Sequence, residues 1–315
     1  MSILISGTLA YDYIMDFPDS FKNHILPDQL HILNVCFVVE KLSREFGGTA
    51  GNIAYNMNLL AGNPLILATI GKDGQDYLDY FTGLDIKTDY VSISKDILTA
   101  SAHITTDKDD NQITAFYNGA ANKAINLSIK DVVEDIKFAL VAPSGKDIMI
   151  KHAKECQEKQ IPFCFDPGQQ ITALTPQDLM AAIGQAKFYI GNDYEIKMTE
   201  EKIGWDIKEL LNHVEVVITT LGDKGSVIST KDQMIEVKAC PVHSVEDPTG
   251  AGDAYRAGFF ISYIQGHDLK TCGQVGSVVA AYAVEHYGTQ NHKFTLDEFN
   301  QRYQETYGET ILLEM

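Results

Sequence analysis

Basic side chains are scarce in this sequence. Arginine occurs three times (Arg44, Arg256, Arg302), and 25 Lys and Arg stand against 43 Asp and Glu, a formal net charge of −18. A surface of that sign repels nucleic acid and anionic membranes, whose binding rests on basic patches. An anionic ligand must then be held by local main-chain N–H groups and a metal ion, because the field of the whole molecule opposes it. No apolar run approaches the length of a membrane span. The start, Met1-Ser2-Ile3-Leu4-Ile5-Ser6-Gly7, lacks the basic region of a secretory signal and reads as a strand. The five cysteines (Cys36, Cys156, Cys164, Cys240, Cys272) are odd in number, widely spaced and never in C-x-x-C, so neither a zinc site nor a disulfide framework is indicated. A reducing cytoplasm is the expected compartment. G-x-x-x-x-G-K-[ST], G-x-G-x-x-G, H-E-x-x-H and G-x-S-x-G are also absent. Those absences argue against P-loop, dinucleotide-binding, zinc-peptidase and nucleophile-elbow chemistry.

What is present is a normal globular composition, 45% hydrophobic, with short apolar runs at 3–6, 65–70, 138–142, 162–165, 188–190, 214–219 and 226–229. Most are apolar on both faces, as buried parallel strands are. Helical patterns at 51–60, 148–159 and 175–186 separate many of them. The alternation predicts an α/β fold, mainly a parallel sheet between helices, with ligands at the C-terminal ends of the strands. Two segments break it. Residues 30–46, with His31-Ile32-Leu33-Asn34-Val35-Cys36-Phe37-Val38-Val39, read as extended, and 101–106 and 112–116 read as a hairpin around Asp107-Lys108-Asp109-Asp110-Asn111. Together they read as a small β-strand lid, about 13–46 and 99–120; an antiparallel edge of the main sheet is the other reading. No linker or repeat divides the chain, so residues 1–315 read as one domain.

The most informative run is Asp247-Pro248-Thr249-Gly250-Ala251-Gly252-Asp253, directly ahead of a helical segment. A Gly-rich helix entrance aims unpaired N–H groups and the positive end of the helix dipole outward, an anion site. A carboxylate inside it, Asp253, suits proton abstraction from an attacking hydroxyl; a plain first-turn acid is the simpler reading. Phe46-Gly47-Gly48-Thr49-Ala50-Gly51-Asn52 is a second such entrance, where Asn52 offers donor and acceptor to a hydroxyl-rich substrate or solvates its own backbone. Asp12, read as lying just beyond the first strand, can accept from vicinal hydroxyls or cap a turn. Asn192 and Glu195, three apart, can share a helix face and hold the water shell of Mg²⁺, or form a capping box. Thr219-Thr220-Leu221-Gly222-Asp223-Lys224-Gly225 is a phosphate loop or a hairpin turn.

Taken in order, these motifs resemble the PfkB (ribokinase-like) family of carbohydrate and nucleoside kinases over about residues 7–290. Gly47-Gly48…Asn52 is similar to the family's first signature, and Asp247–Tyr255 to its second, usually D-T-x-G-A-G-D-x-F, with Pro248 and Tyr255 as departures. Asn192-x-x-Glu195 is similar to its N-x-x-E motif and Thr219–Gly225 to its ATP loop. Ser6–Asp12, Ile104–Phe116 and Phe165-Asp166-Pro167-Gly168-Gln169 look most like bacterial nucleoside kinases of the adenosine-kinase type. The resemblance implies a ribokinase-like fold and transfer of the ATP γ-phosphoryl group to the 5′-hydroxyl of a purine nucleoside. A family sugar kinase and a non-catalytic nucleotide-binding regulator are the rivals. It implies catalysis by Asp253 with the amides of Gly250, Ala251 and Gly252. Substrate contacts would come from Asp12, Gly48, Asn52, Phe116 and Gln169, and ATP contacts from Asn192, Thr220, Gly222 and Gly225. Mg²⁺ would be organised through water by Glu195 and Asn192, and K⁺ would lie near Asp247 and Thr249. The lid would close over the nucleoside and could pair two subunits.

Overall fold

The computed structural model describes residues 2–109 and 111–313; Asp110, in the expected hairpin turn, lies outside the described residues, as do Met1, Glu314 and Met315. In chain order the elements begin with β1 (Ser2–Ser6), β2 (Ala10–Asp16), β3 (Lys41–Gly47), α1 (Thr49–Leu59), β4 (Asn63–Ile70), α2 (Gln75–Gly83), β5 (Val91–Ile93), β6 (Ala100–Thr106) and β7 (Gln112–Tyr117). There follow β8 (Ile136–Val141), α3 (Lys146–Glu158), β9 (Phe163–Phe165), α4 (Pro176–Ile183), β10 (Phe188–Asn192), α5 (Asp193–Ile203), α6 (Ile207–His213) and β11 (Val216–Thr220). The last are β12 (Ser226–Ser229), β13 (Met234–Val237), α7 (Ala251–Ile264), α8 (Leu269–Val284) and α9 (Leu296–Tyr307).

Nine strands form the main sheet in the order β13-β12-β11-β10-β9-β8-β1-β4-β5. From β11 to β5 every pairing is parallel, and the central strands are apolar on both faces because helices cover both. One large apolar cluster lies on the α1, α7 and α8 side, and a second on the α3–α6 side. β12 and β13 run antiparallel. The five-residue connection 221–225 is too short for a parallel crossover, so the expected Gly loop is a hairpin turn. Among the described residues no helix is long and apolar enough to cross a membrane.

A separate four-stranded sheet, β3-β2-β6-β7, stands beside the main one, as the hairpin pattern anticipated. Here residues 31–39 depart from expectation. They are not a strand: Pro27–Ile32 is a 3-10 turn, 33–39 is irregular, and pairing begins only at Lys41 opposite Asp16. The partner strand β2 stops at Asp16, just before Pro18, and so offers no ladder for the preceding residues; Leu30, Ile32, Leu33 and Val38 are left exposed. Asp12 lies beyond β1, as expected, and is itself part of β2 in the lid. In register across the four strands lie Glu45, Asp12, Ala102 and Phe116, which therefore share one lid face. Ile14, Ala102 and Ile104 of that face pack on Tyr287 of the body. A cleft of about 560 Å³ opens between this face and the 245–249 loop, lined by Ile14, Ile104, Asp247, Pro248, Thr249 and Tyr287.

Candidate active site

The site sits where the C-terminal ends of the central strands meet the lid. The chain enters α7 through Gly250 at φ +80°, ψ −5°, a left-handed conformation in which a side chain would also press on Thr289. Ala251, Gly252 and Asp253 form the first helical turn, whose N–H groups have no acceptors within the helix. Ala251 N–H keeps only a 3.3 Å contact to the Pro248 carbonyl. Asp253 is partly buried, and its Oδ2 accepts from Asn52 Nδ2 at 2.8 Å. Burial pushes its carboxyl up to about 6, against the Arg256 guanidinium and the Asn52 amide, which favour the charged form; Asp166 and Glu195 add to the rise. At neutral pH the group is mostly ionised yet close to its pKa, the condition for a proton acceptor.

Sequence reasoning missed Arg256 and Asp166 as site residues. Arg256 lies one turn beyond Asp253. Its Nε and Nη2 donate to Asp166 Oδ2 and Oδ1 at 2.5 and 2.9 Å, and Nη1 donates to the Gly252 carbonyl at 2.9 Å. Both side chains are buried. The available signal was the rarity of arginine and the three-residue step from Asp253.

Asp12 faces the same space from the lid. It is buried, no donor among the described residues reaches its carboxylate, and it lies against Gly47, where a side chain would collide with it. Burial first, then the charges of Asp253, Asp247 and Glu45, push it up to about 7. A carboxylate so confined is short of donors, which a ligand's hydroxyls can supply. Gly48 caps α1 at φ +86°, its carbonyl accepting from Asn52 N–H at 2.9 Å. Asn52, read as offering donor and acceptor to a substrate or as solvating its own backbone, is engaged on both sides by other side chains: Nδ2 with Asp253, Oδ1 with Gln290 Nε2 at 3.0 Å. One N–H remains for a ligand.

Asn192 and Glu195 form a capping box at the start of α5, Glu195 N–H to Asn192 Oδ1 at 2.8 Å and Asn192 N–H to Glu195 Oε2 at 2.9 Å. Burial still raises the Glu195 carboxyl, and its charge reaches Asp253 and Arg256. Thr220 ends β11, with Gly222 at φ +60° and Gly225 at φ +94° in the hairpin turn beyond. Asp247 is buried; Oδ1 accepts from Thr249 N–H at 2.9 Å and Oδ2 from Gly288 N–H at 3.1 Å. Phe116 is 52% exposed on the site-facing side of the lid's outermost strand. Gln169 is exposed on the turn after β9, and its side chain joins no hydrogen bond among the described residues. A larger groove, about 770 Å³, runs between α6 and the β12–β13 turn, but none of these residues lines it.

The parallel sheet, the detached β lid and the glycine entrance bearing Asp253 are together those of a ribokinase-like, ATP-dependent kinase. The chain belongs to the pfkB family of carbohydrate kinases, whose family model matches residues 25–295. It is 34% identical to the nucleoside kinase of Methanocaldococcus jannaschii over 298 residues, 94% of each chain. Its structure matches that of the Burkholderia thailandensis nucleoside kinase in complex with inosine, with TM-score 0.91 and 38% identity over 98% of this chain and 99% of that one. The same enzyme in complex with ADP-inosine matches with TM-score 0.89 and 39% identity over 98% and 97%.

Proposed function

We propose that this chain is a nucleoside kinase that moves the γ-phosphoryl group of ATP to the 5′-hydroxyl of a purine nucleoside. The observation that carries the reading is Asp12. It is a buried lid carboxylate without donors, facing the glycine entrance that bears Asp253 and sharing its lid face with Phe116. Ribose hydroxyls would supply the missing donors, with the spare N–H of Asn52 and the Gly48 backbone beside them. Phe116 would form an aromatic wall for the base. Lys41, the basic residue of that face, is taken up by Asp16 at 3.8 Å and by the Tyr287 ring, an arrangement unsuited to a phosphosugar. The kinship to kinases of nucleosides supports the same choice.

Asp253 would take the proton of the 5′-hydroxyl as it attacks, and the amides of Gly250, Ala251 and Gly252 would stabilise charge on the transferred group. Positioning and electrostatics carry most of phosphoryl transfer. Asn192, Thr220, Gly222 and Gly225 would contact ATP. Among the described residues no group of three or more His, Cys, Asp or Glu is arranged to hold a metal by itself. Mg²⁺ would ride on the ATP phosphates and keep most of its waters; Glu195 and Asn192 at the start of α5 would orient some of them, and the ion would screen phosphate charge. Asp247 and Thr249 are the proposed neighbours of K⁺, and Gln169 a peripheral substrate contact. A lid closed over the nucleoside would keep water from the γ-phosphate.

The decisive experiment is release of ADP from ATP–Mg²⁺ with a panel of nucleosides and sugars. Turnover with purine nucleosides is expected; turnover with sugars alone overturns the reading. A homodimer through the lid is part of the proposal, supported by Leu42, Ile113 and Tyr117 exposed on the lid's outer face. Light scattering on the purified chain tests it, and a monomer at micromolar concentration removes it. The expected location is the cytoplasm.

A further inference from the structure

A chain of hydrogen bonds runs from the lid to Asp253, and each step has a direction. It starts at the Gly47 carbonyl, the last residue of β3, which can only accept. Tyr77 Oη donates to it at 2.7 Å. Burial holds the Tyr77 hydroxyl well above its ordinary pKa, so it keeps the proton it donates. Having spent that proton, Tyr77 must accept from Gln290, whose Nε2 lies 2.6 Å away. The same Nε2 donates to Asn52 Oδ1 at 3.0 Å, and Asn52 then has its NH₂ toward Asp253 Oδ2 at 2.8 Å. The network thereby assigns both amide orientations. Gln290 and Asn52 are buried, and Gln290 Oε1 has no partner among the described residues, a cost tolerated so that the NH₂ side faces Asn52.

The residues around Gln290 grip the same two parts of the molecule. Gly288 N–H donates to Asp247, Thr289 Oγ1 to the Phe46 carbonyl at 2.9 Å, and Asn291 Nδ2 to Glu45 at 2.9 Å. The segment 288–291 is thus a strap between the end of β3 in the lid and the entrance of α7.

We propose that Gln290 is a positioning residue for the reaction: held by Tyr77 on the Gly47 carbonyl, it turns the Asn52 amide so that an N–H always meets the Asp253 carboxylate, and couples the orientation of that base to the lid. The inference rests on the kinase reading above. Reversing Gln290 would turn Asn52 as well and set its oxygen against the carboxylate. The relay is one influence on Asp253 among several. The others are Arg256 on the same helix, Asp166 after β9, Glu195 of α5 and Asp12 of the lid; all four side chains are retained in the 290 and 77 variants, and of them Asp12 is the one that also interacts with Tyr77.

The test compares Gln290→Leu and Gln290→Glu with the unmodified protein. Leu removes the donor and frees Asn52. Glu keeps the shape but, once ionised, can only accept, so it then forces Asn52 to reverse; its charge also raises the Asp253 carboxyl, so the limb shift is read from Gln290→Leu and Glu is judged by kcat. We expect kcat to fall about tenfold or more in both, further in Gln290→Glu, while KM for ATP holds. The acid limb of the kcat profile should move up by about one pH unit, because a hydrogen bond to the ionised form is lost. Tyr77→Phe, which deletes one hydroxyl, should move the limb the same way by less and serves if the 290 variants fold poorly. A limb that stays in place in a folded variant overturns the relay, whether or not kcat falls. So does Gln290→Glu retaining more activity than Gln290→Leu. Should the unmodified protein phosphorylate no nucleoside, the kinase reading itself fails. The relay is then judged by the shift of the Asp253 carboxyl titration, followed by NMR, between Gln290→Leu and the unmodified protein.

Discussion

Arg256 holds Asp166 by two N–H···O bonds, Nε to Oδ2 and Nη2 to Oδ1, while its remaining arm reaches the Gly252 carbonyl, so one buried guanidinium ties the end of β9 to the first turn of α7. The positive charge also favours ionisation of Asp253 one turn earlier. Removing one member of a buried pair leaves the other uncompensated and costs about 3–5 kcal/mol. Arg256→Gln should therefore lower the melting temperature markedly and raise the pH at which activity appears. Lysine lacks the planar fork and should rescue only part of the stability. Thermal unfolding of the three proteins checks this; equal melting temperatures would show the pair to be idle.

Asp253→Asn keeps the shape and the Asn52 neighbour but cannot accept a proton. Turnover should fall by about 10²–10⁴, the usual share of a general base. Binding of an ATP analogue, measured by calorimetry, should change little. Near-normal kcat would remove Asp253 from the chemistry.

Phe116 lies on the open side of the lid. If it stacks on the base, Phe116→Ala should raise KM for the nucleoside by the equivalent of about 1–3 kcal/mol, with KM for ATP and the melting temperature nearly constant. An unchanged nucleoside KM assigns the ring to the lid surface alone.

The two confined carboxyls set a pH dependence with a definite sign. In the folded protein Asp253 stands near 6 and Asp12 near 7, above their ordinary values of 3.8. Their contribution to stability is complete below about pH 4 and is lost as pH rises through 6 and 7. Between pH 5 and 8 the ligand-free protein should lose more stability than an Asp12→Asn variant, which has no charge to confine. Activity should run the opposite way and rise over about pH 5–7 as Asp253 ionises. Parallel stability profiles for the two proteins would contradict the burial of Asp12.

Local chemistry along the chain determined a good deal. Apolar runs bounded by Gly, Pro and Asp marked the parallel strands, since a strand buried on both faces needs apolar residues at every position. The lid hairpin was legible because alternation with period two needs only neighbouring residues. The glycines and Asp253 of residues 250–253 announced a helix entrance with a carboxylate, a feature built within four residues. Residues 31–39 show the limit: β-forming side chains made no strand, because a ladder requires a partner and β2 ends at Asp16. Tertiary structure alone decided the rest. Nothing near Gln290 in sequence points to Asn52, 238 positions away, or near Arg256 to Asp166, 90 away. Hydrogen bonds and ion pairs act across a few ångströms of space whatever the separation along the chain. The types of residue that do the chemistry were therefore written locally, while which amide faces the base, and which carboxylate waits without donors, depended on how lid, strap and helix entrance came together.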